Sequence, residues 1–70
     1  MNNNLAQQNA LIADNLIFAC VNDEVAANYI VSKINPDDFI FSEHRGMLQN
    51  IKTMVLAGEP ITADRVVIGV

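Results

Sequence analysis

Apolar residues recur at helical spacing along most of the chain, and this pattern predicts α-helices with no strands. Apolar positions three or four residues apart lie on one face of a helix, which can then pack inward. The predicted helices span Leu5–Val21, Asp23–Lys33, Glu43–Ala57 and Ala63–Ile68. The pattern therefore predicts an all-α fold, a small orthogonal bundle of about four helices.

Within each predicted helix, the apolar spacing identifies the face that we expect in the core. The expected core residues are Leu5, Ile12, Leu16 and Ala19 or Cys20 in the first helix, Ala26, Tyr29, Ile30 and Ile34 in the second, Met47, Leu48, Ile51, Met54 and Val55 in the third, and Val66 and Val67 in the last. The run from Leu16 to Val21 is apolar all round, so we expect the end of the first helix to be buried on more than one side.

Polar residues, prolines and glycines mark where the predicted helices begin and end. The expected N-caps are Asn22, Ser42 and Thr62, whose side chains can accept hydrogen bonds from N–H groups of the first turn. Pro36 ends the second helix and is expected to open a single helical turn. Gly58 is expected to close the third helix in the left-handed conformation, with Pro60 two residues further on.

An apolar triplet, Phe39-Ile40-Phe41, separates the second and third predicted helices. Leaving it in water would be costly for so small a domain. We therefore expect Phe39 and Phe41 to be buried where the helices meet. A recognition patch for a partner is the alternative interpretation.

Side chains capable of chemistry are few. His44 is the only histidine, and we expect it to pack at the start of the third helix, not to act as a general base. Cys20 lies in an apolar segment and is expected to behave as a small hydrophobic residue. Arg45 is expected to hold the loop to the third helix through a surface ion pair with Glu43 or Asp38.

Composition argues against several classes of site. The three glycines are isolated and none precedes a lysine, so the phosphate-binding loop of an ATPase is not predicted. One cysteine and one histidine do not complete a zinc site, which requires four ligands. We expect no catalytic residue, metal or cofactor, and no enzymatic activity.

Charge and length bear on the partners and the location. Eight acidic residues outnumber four scattered Lys and Arg residues, which argues against direct binding to nucleic acid or to an anionic membrane. No signal peptide or membrane span is visible, and the single cysteine suits a reducing compartment, so we expect a cytoplasmic protein. A 70-residue chain has a marginal core and is expected to gain stability from association.

Part of the chain resembles a known family. The motif Pro-Asp-Asp-Phe at 36–39, followed by Phe41, His44-Arg45 and Gly-Glu-Pro-Ile-Thr at 58–62, is similar to the N-terminal domain of DnaB-type replicative DNA helicases. The residues that carry the resemblance are Pro36, Asp38, Phe39, Phe41, His44, Arg45, Gly58 and Pro60. Phe18 and Ala19 stand where the family often has a glycine, which indicates a divergent, phage-like member.

The resemblance implies an all-helical head in the collar of a hexameric helicase. In that family the collar assembles protomers and receives primase and helicase loaders, as part of the primosome. Residues 1–70 are then a single domain, most of such a head, without the helical hairpin and the ATPase motor that follow in the family. The implied function is a non-catalytic assembly and partner-docking module.

The C-terminal segment is strongly apolar, and part of it is predicted to be a contact surface. Leu56, Ile68 and Val70 are the candidate partner-binding residues, because Ile68 and Val70 do not both reach the core from one short helix. A free-standing protein that mimics the helicase head to bind or block a host helicase is one alternative. A small helical DNA-binding regulator is another, against which the few cations count.

Overall fold

The computed structural model describes residues 2–69, and these residues form an all-α structure of four helices and one 3-10 turn. The helices α1, α2, α3 and α4 span Asn2–Asn22, Glu24–Lys33, Ser42–Ala57 and Ala63–Ile68, and the turn η1 spans Pro36–Asp38. The predicted all-α fold and its four helices are confirmed. The largest difference from the predicted bounds is at the start of α1, which begins at Asn2 instead of Leu5.

The third helix, α3, is the centre of the molecule, because it packs against α1, α2, α4 and η1. Its buried residues are Leu48, Ile51 and Met54, all nearly inaccessible to solvent. Met47 and Val55 pack against them at the edges of the same stripe. The predicted inward face of α3 is confirmed.

The first helix buries the predicted face only in its second half, where Cys20 is in the core and Leu16 and Ala19 pack against it. Leu5 and Ile12 are exposed, whereas Ala13, Ile17 and Cys20 are buried. Twelve of the residues from Leu5 to Val21 are apolar, and they lie on several sides of the helix, so more than one face satisfies helical spacing. Packing against α2 and α3 decides between them, because α1 contacts both helices.

Three further predicted core positions lie at the surface. Phe18 is exposed although its neighbours from Leu16 to Val21 are buried or partly buried. Tyr29 is exposed, whereas Ile30 is buried as predicted and Ala27 is buried in addition. Val67 is also exposed, so only Val66 carries α4 into the core.

Two of the three predicted N-caps are off by one residue. The Asn22 side chain donates to the Phe18 carbonyl at the end of α1, and Asp23 caps α2 by accepting from the N–H groups of Val25 and Ala26. A carboxylate suits this position because the start of a helix carries a partial positive charge. Phe41, in extended conformation, precedes α3, and Ser42 is already helical.

The remaining boundaries follow the sequence pattern. Asn35 is extended ahead of Pro36, and its N–H donates to the Asp38 carboxylate at 2.9 Å, which closes the turn η1. Gly58 ends α3 with φ of 70° and ψ of 25°, a left-handed conformation that glycine adopts without steric cost. Thr62 caps α4 by accepting from the Arg65 N–H at 3.4 Å. These predictions are confirmed.

Among residues 2–69, no helix combines the length and the apolarity that crossing a membrane requires.

Candidate partner-binding surface

Six of the residues that carry the family resemblance, Pro36, Asp38, Phe39, Phe41, His44 and Arg45, meet in one corner between η1 and α3. Phe39 is buried at its centre. The His44 ring lies edge-on to the rings of Phe39 and Phe41, at centroid distances of 6.1 and 5.9 Å. Phe41 keeps 40% of its surface exposed, so the prediction that it is buried is wrong. Phe39 fills the core position, and Phe41 packs against His44 at the surface.

Arg45 holds this corner together, though not by the predicted ion pair. Its Nη1 donates to the backbone carbonyls of Phe39 at 3.1 Å and Ile40 at 2.6 Å. The predicted role of tying the loop to α3 is confirmed, but the partners are carbonyl oxygens in place of the Glu43 or Asp38 carboxylates. Carbonyls in an extended loop need donors, and a guanidinium supplies several.

The corner is also tied to α1 by two contacts that sequence reasoning missed. The Asp14 carboxylate lies 2.9 Å from His44 Nε2, and the Asn9 side-chain oxygen accepts from the Ile40 N–H at 3.0 Å. These partners stand 30 and 31 residues apart in the chain. No local spacing signals such pairs, because they arise only when α1 folds back over the start of α3.

The Asp14–His44 pair resembles half of a catalytic arrangement, but its geometry favours a structural role. A carboxylate accepts hydrogen bonds, so Nε2 carries the proton and donates to Asp14. Nδ1 is buried and has no hydrogen-bond partner among the described residues. Nε2 is thus engaged by Asp14 and Nδ1 is buried, which favours a structural role for the ring.

Cys20, the chain's one cysteine, is buried in the core. Burial raises the pKa of its thiol, because the apolar surroundings disfavour the thiolate. The thiolate is the reactive form of cysteine. The geometry therefore matches the predicted behaviour of Cys20 as a small hydrophobic residue.

An open apolar concavity with a volume of about 400 Å³ lies between α1, the first half of α3 and α4. We call it the α1–α4 cleft, and its apolar lining is Ile17, Phe18, Val21, Met47, Ala63, Val66 and Val67. The polar residues of the lining are Asp14 and Asn22, which form its rim. A second, more polar recess of about 290 Å³ adjoins it, sharing Met47 and Val67 and adding Glu43.

The floor of the α1–α4 cleft belongs to the core, whereas its walls are open to solvent. Ile17 and Val66 are buried, but Phe18 and Val67 each keep 70% of their surface exposed. Burying a side chain of this kind stabilises a protein or a complex by roughly 1.5–3 kcal/mol. The cleft is therefore shaped to gain stability when an apolar group fills it.

Two of the three predicted partner-binding residues are at the surface. Leu56 is 77% exposed and Ile68 is 85% exposed, while Val70 lies outside the described residues. Asn50 donates to the Val66 carbonyl at 2.8 Å, so α4 runs back along α3 and Ile68 lies near Asn50. Leu56 lies about 9 Å from Asn50 along the axis of α3, at 1.5 Å per residue. Leu56 and Ile68 therefore lie at different levels along α3. Their role in binding stays a prediction.

A further unpartnered apolar stripe follows the first half of α1, where Leu5 and Ile12 are exposed. These are the residues that the sequence pattern placed in the core. Exposed apolar side chains are common singly on monomers and become informative when they gather around a concavity. The α1–α4 cleft combines exposed apolar walls with such a concavity.

Comparison of the chain with protein-family models, with curated protein sequences and with solved structures finds no match.

Proposed function

We propose that this chain is a non-catalytic protein-interaction module of a replicative DNA helicase, which supports protomer association and the docking of primase or a helicase loader. The observation that carries the proposal is the α1–α4 cleft. Its exposed walls, Phe18 and Val67, stand over a buried apolar floor. Such a surface binds the apolar side chains of another protein more readily than it binds a charged small molecule.

Charge supports a protein partner over nucleic acid. The chain has a formal net charge of −4, with four Lys and Arg residues in all. Two of these are engaged, because Arg45 donates to backbone carbonyls and Arg65 pairs with Glu59 at 2.7 Å. Neutralising phosphates requires clustered free cations.

The resemblance to DnaB-type N-terminal domains supplies the candidate partners. The residues that carry it, from Pro36 to Arg45, pack as one corner held to α1 through Asp14 and Asn9. This corner is a structural element that orients α1 relative to α3, and those two helices form two sides of the cleft. The partners implied are helicase protomers, primase and helicase loaders.

Sedimentation velocity tests the proposal. The chain is mixed in turn with a purified DnaB-type helicase, a primase and a helicase loader, and we expect it to co-sediment with at least one of them. We expect Ile68→Gln or Phe18→Gln to weaken that association, because Ile68 is an exposed contact residue predicted from the sequence and Phe18 is an exposed wall of the cleft. Val25→Gln is the matched control, since Val25 is an exposed apolar residue of α2 outside the cleft.

Three results would contradict the proposal. Co-sedimentation with none of the three proteins at micromolar concentrations would overturn the helicase assignment. ATP hydrolysis by the chain alone would overturn the non-catalytic role. Micromolar binding to single- or double-stranded oligonucleotides that weakens with salt would show that the charge argument is wrong.

A further inference from the structure

We infer that the α1–α4 cleft binds a single amphipathic α-helix of the partner, with Lys or Arg residues beside its apolar stripe. This inference rests on the proposed function and specifies the chemistry of the segment that docks. Three properties of the cleft carry it: the helices that bound it, the apolar residues of its walls, and the carboxylates at its rim.

The elements around the cleft favour a helix as the occupant. Residues 2–69 contain no strand, so an extended peptide has no sheet edge there to which it could add. The cleft is bounded by α1, α3 and α4, and a groove between helices accepts the apolar side chains that a docked helix presents at positions i, i+3, i+4 and i+7. Phe18 and Val67 form the two exposed walls, so the apolar stripe lies between them.

The acidic residues at the rim favour Lys or Arg beside the apolar stripe of the docked helix. Asp14 lines the cleft and Glu43 lines the adjoining recess, and no Lys or Arg is among the residues that line either one. The Asp14 side chain is 65% exposed. It accepts one hydrogen bond from His44, and a carboxylate has further lone pairs for a cation of the partner. Complementary charge of this kind steers association and fixes the register of docking.

A second copy of the chain fits the cleft less well than a basic helix. The exposed apolar stripe of α1 would be the segment to insert, yet α1 contains no Lys or Arg and carries Asp14. Two chains with a net charge of −4 each also repel one another. The complementary charge must therefore come from a different protein.

Fluorescence anisotropy with designed peptides tests this inference on the full chain. The probe is a labelled helical peptide of roughly 15 residues with leucine at i, i+3, i+4 and i+7 and lysine elsewhere. The comparison peptide keeps the leucines and replaces every lysine by glutamate. We expect the leucine–lysine peptide to bind and the leucine–glutamate peptide to bind at least about tenfold more weakly.

Paired variants separate docking in the cleft from general attraction between a cationic peptide and an acidic protein. Phe18→Gln is expected to weaken binding at least about tenfold, because it removes one apolar wall. Ile12→Gln, at another exposed position of α1, is expected to leave binding unchanged. Glu43→Gln is expected to weaken binding by about two- to fivefold. Glu24→Gln, which also removes a glutamate from the first turn of a helix, is expected to have less effect.

Each contrary result has a defined meaning. Equal binding of the two peptides, or equal losses with Phe18→Gln and Ile12→Gln, overturns the inference. Self-association of the wild type that Phe18→Gln abolishes assigns the cleft to a second copy and also overturns it. Absence of peptide binding by a chain that does co-sediment with a helicase, primase or loader overturns the inference and leaves the proposed function in place. Circular dichroism confirms that each variant is folded, and Val67→Gln repeats the test from the opposite wall, with Val25→Gln as its control.

Discussion

At the scale of single residues, Arg45 stabilises the corner between η1 and α3 by donating to two consecutive backbone carbonyls. One of these, the carbonyl of Phe39, is partly buried. We predict that Arg45→Ala lowers the free energy of unfolding by about 1–3 kcal/mol, because it leaves both carbonyls without their charged donor. Urea denaturation followed by circular dichroism measures the change.

The control for this prediction is Arg65→Ala, which removes the same charge. Arg65 forms an ion pair with Glu59 in which both side chains are substantially exposed. Exposed pairs contribute roughly 0–1 kcal/mol, so the loss should be smaller than for Arg45→Ala. Equal losses would show that the corner does not depend on the contacts of Arg45.

Because Cys20 is buried, we expect the free energy of unfolding to depend on pH. Its thiol pKa is raised in the folded chain, so the folded state holds the proton more tightly than the unfolded state. This contribution to stability is fully present below the unfolded pKa of about 8.5 and is lost as pH rises through the folded value. We predict that the free energy of unfolding falls more steeply above about pH 8.5 in the wild type than in Cys20→Ala. Parallel curves for the two proteins would contradict this account.

Single residues differ in how far the sequence predicts their roles. Gly58 and Thr62 act on groups within three to five positions along the chain, and local chemistry was enough to predict them. The contact between Asp14 and His44 joins residues 30 positions apart. Helical periodicity holds no information on such a pair, because it depends on how one helix folds back over another.

At the scale of the helices, α1 shows why an apolar pattern can identify a helix without identifying its buried face. The stripe of Leu5 and Ile12 and the stripe of Ala13, Ile17 and Cys20 both have helical spacing. The second belongs to the core cluster that also contains Ala27 of α2 and Leu48 of α3. Which face meets the neighbouring helices is a tertiary property, and the periodicity of one helix does not contain it.

Close packing of α1 gives a direct test of this face. We predict that Ala13→Leu lowers the free energy of unfolding by about 1–3 kcal/mol, because the added methyl groups overfill the core. Ile12→Ala, at the neighbouring exposed position, should change it by less than about 0.5 kcal/mol. Thermal or urea denaturation compares the two. The opposite order would place the core on the face that contains Ile12.

Replacing Gly46 or Gly58 by alanine is expected to change the free energy of unfolding in opposite directions. Gly46 lies inside the helix with no atom within 4 Å of an added Cβ, so Gly46→Ala should stabilise the chain by about 0.5–1 kcal/mol. Gly58 has φ of 70°, so Gly58→Ala should destabilise it by about 1 kcal/mol. Urea denaturation of both variants is the measurement. A stabilising Gly58→Ala would contradict the left-handed end of α3.

At the scale of the whole molecule, large apolar side chains are exposed on all four helices of an acidic chain. The described residues measure 41 × 22 × 18 Å, and α1 alone is about 30 Å long at 1.5 Å per residue. The exposed positions of Ile68 and Leu56 agree with their choice as candidate contact residues from sequence. The α1–α4 cleft was not predicted, because its lining comes from three helices that are far apart in the chain.

The central claim is that this chain binds a protein partner through the apolar surface of the α1–α4 cleft. The most direct test is an NMR titration of the ¹⁵N-labelled chain with an unlabelled, purified DnaB-type helicase, primase or helicase loader. We predict that amide signals of Phe18, Met47 and Val67 lose intensity first, while those of Val25 and Tyr29 on α2 persist. Loss centred on α2, or no selective loss with any of the three proteins, would contradict the account.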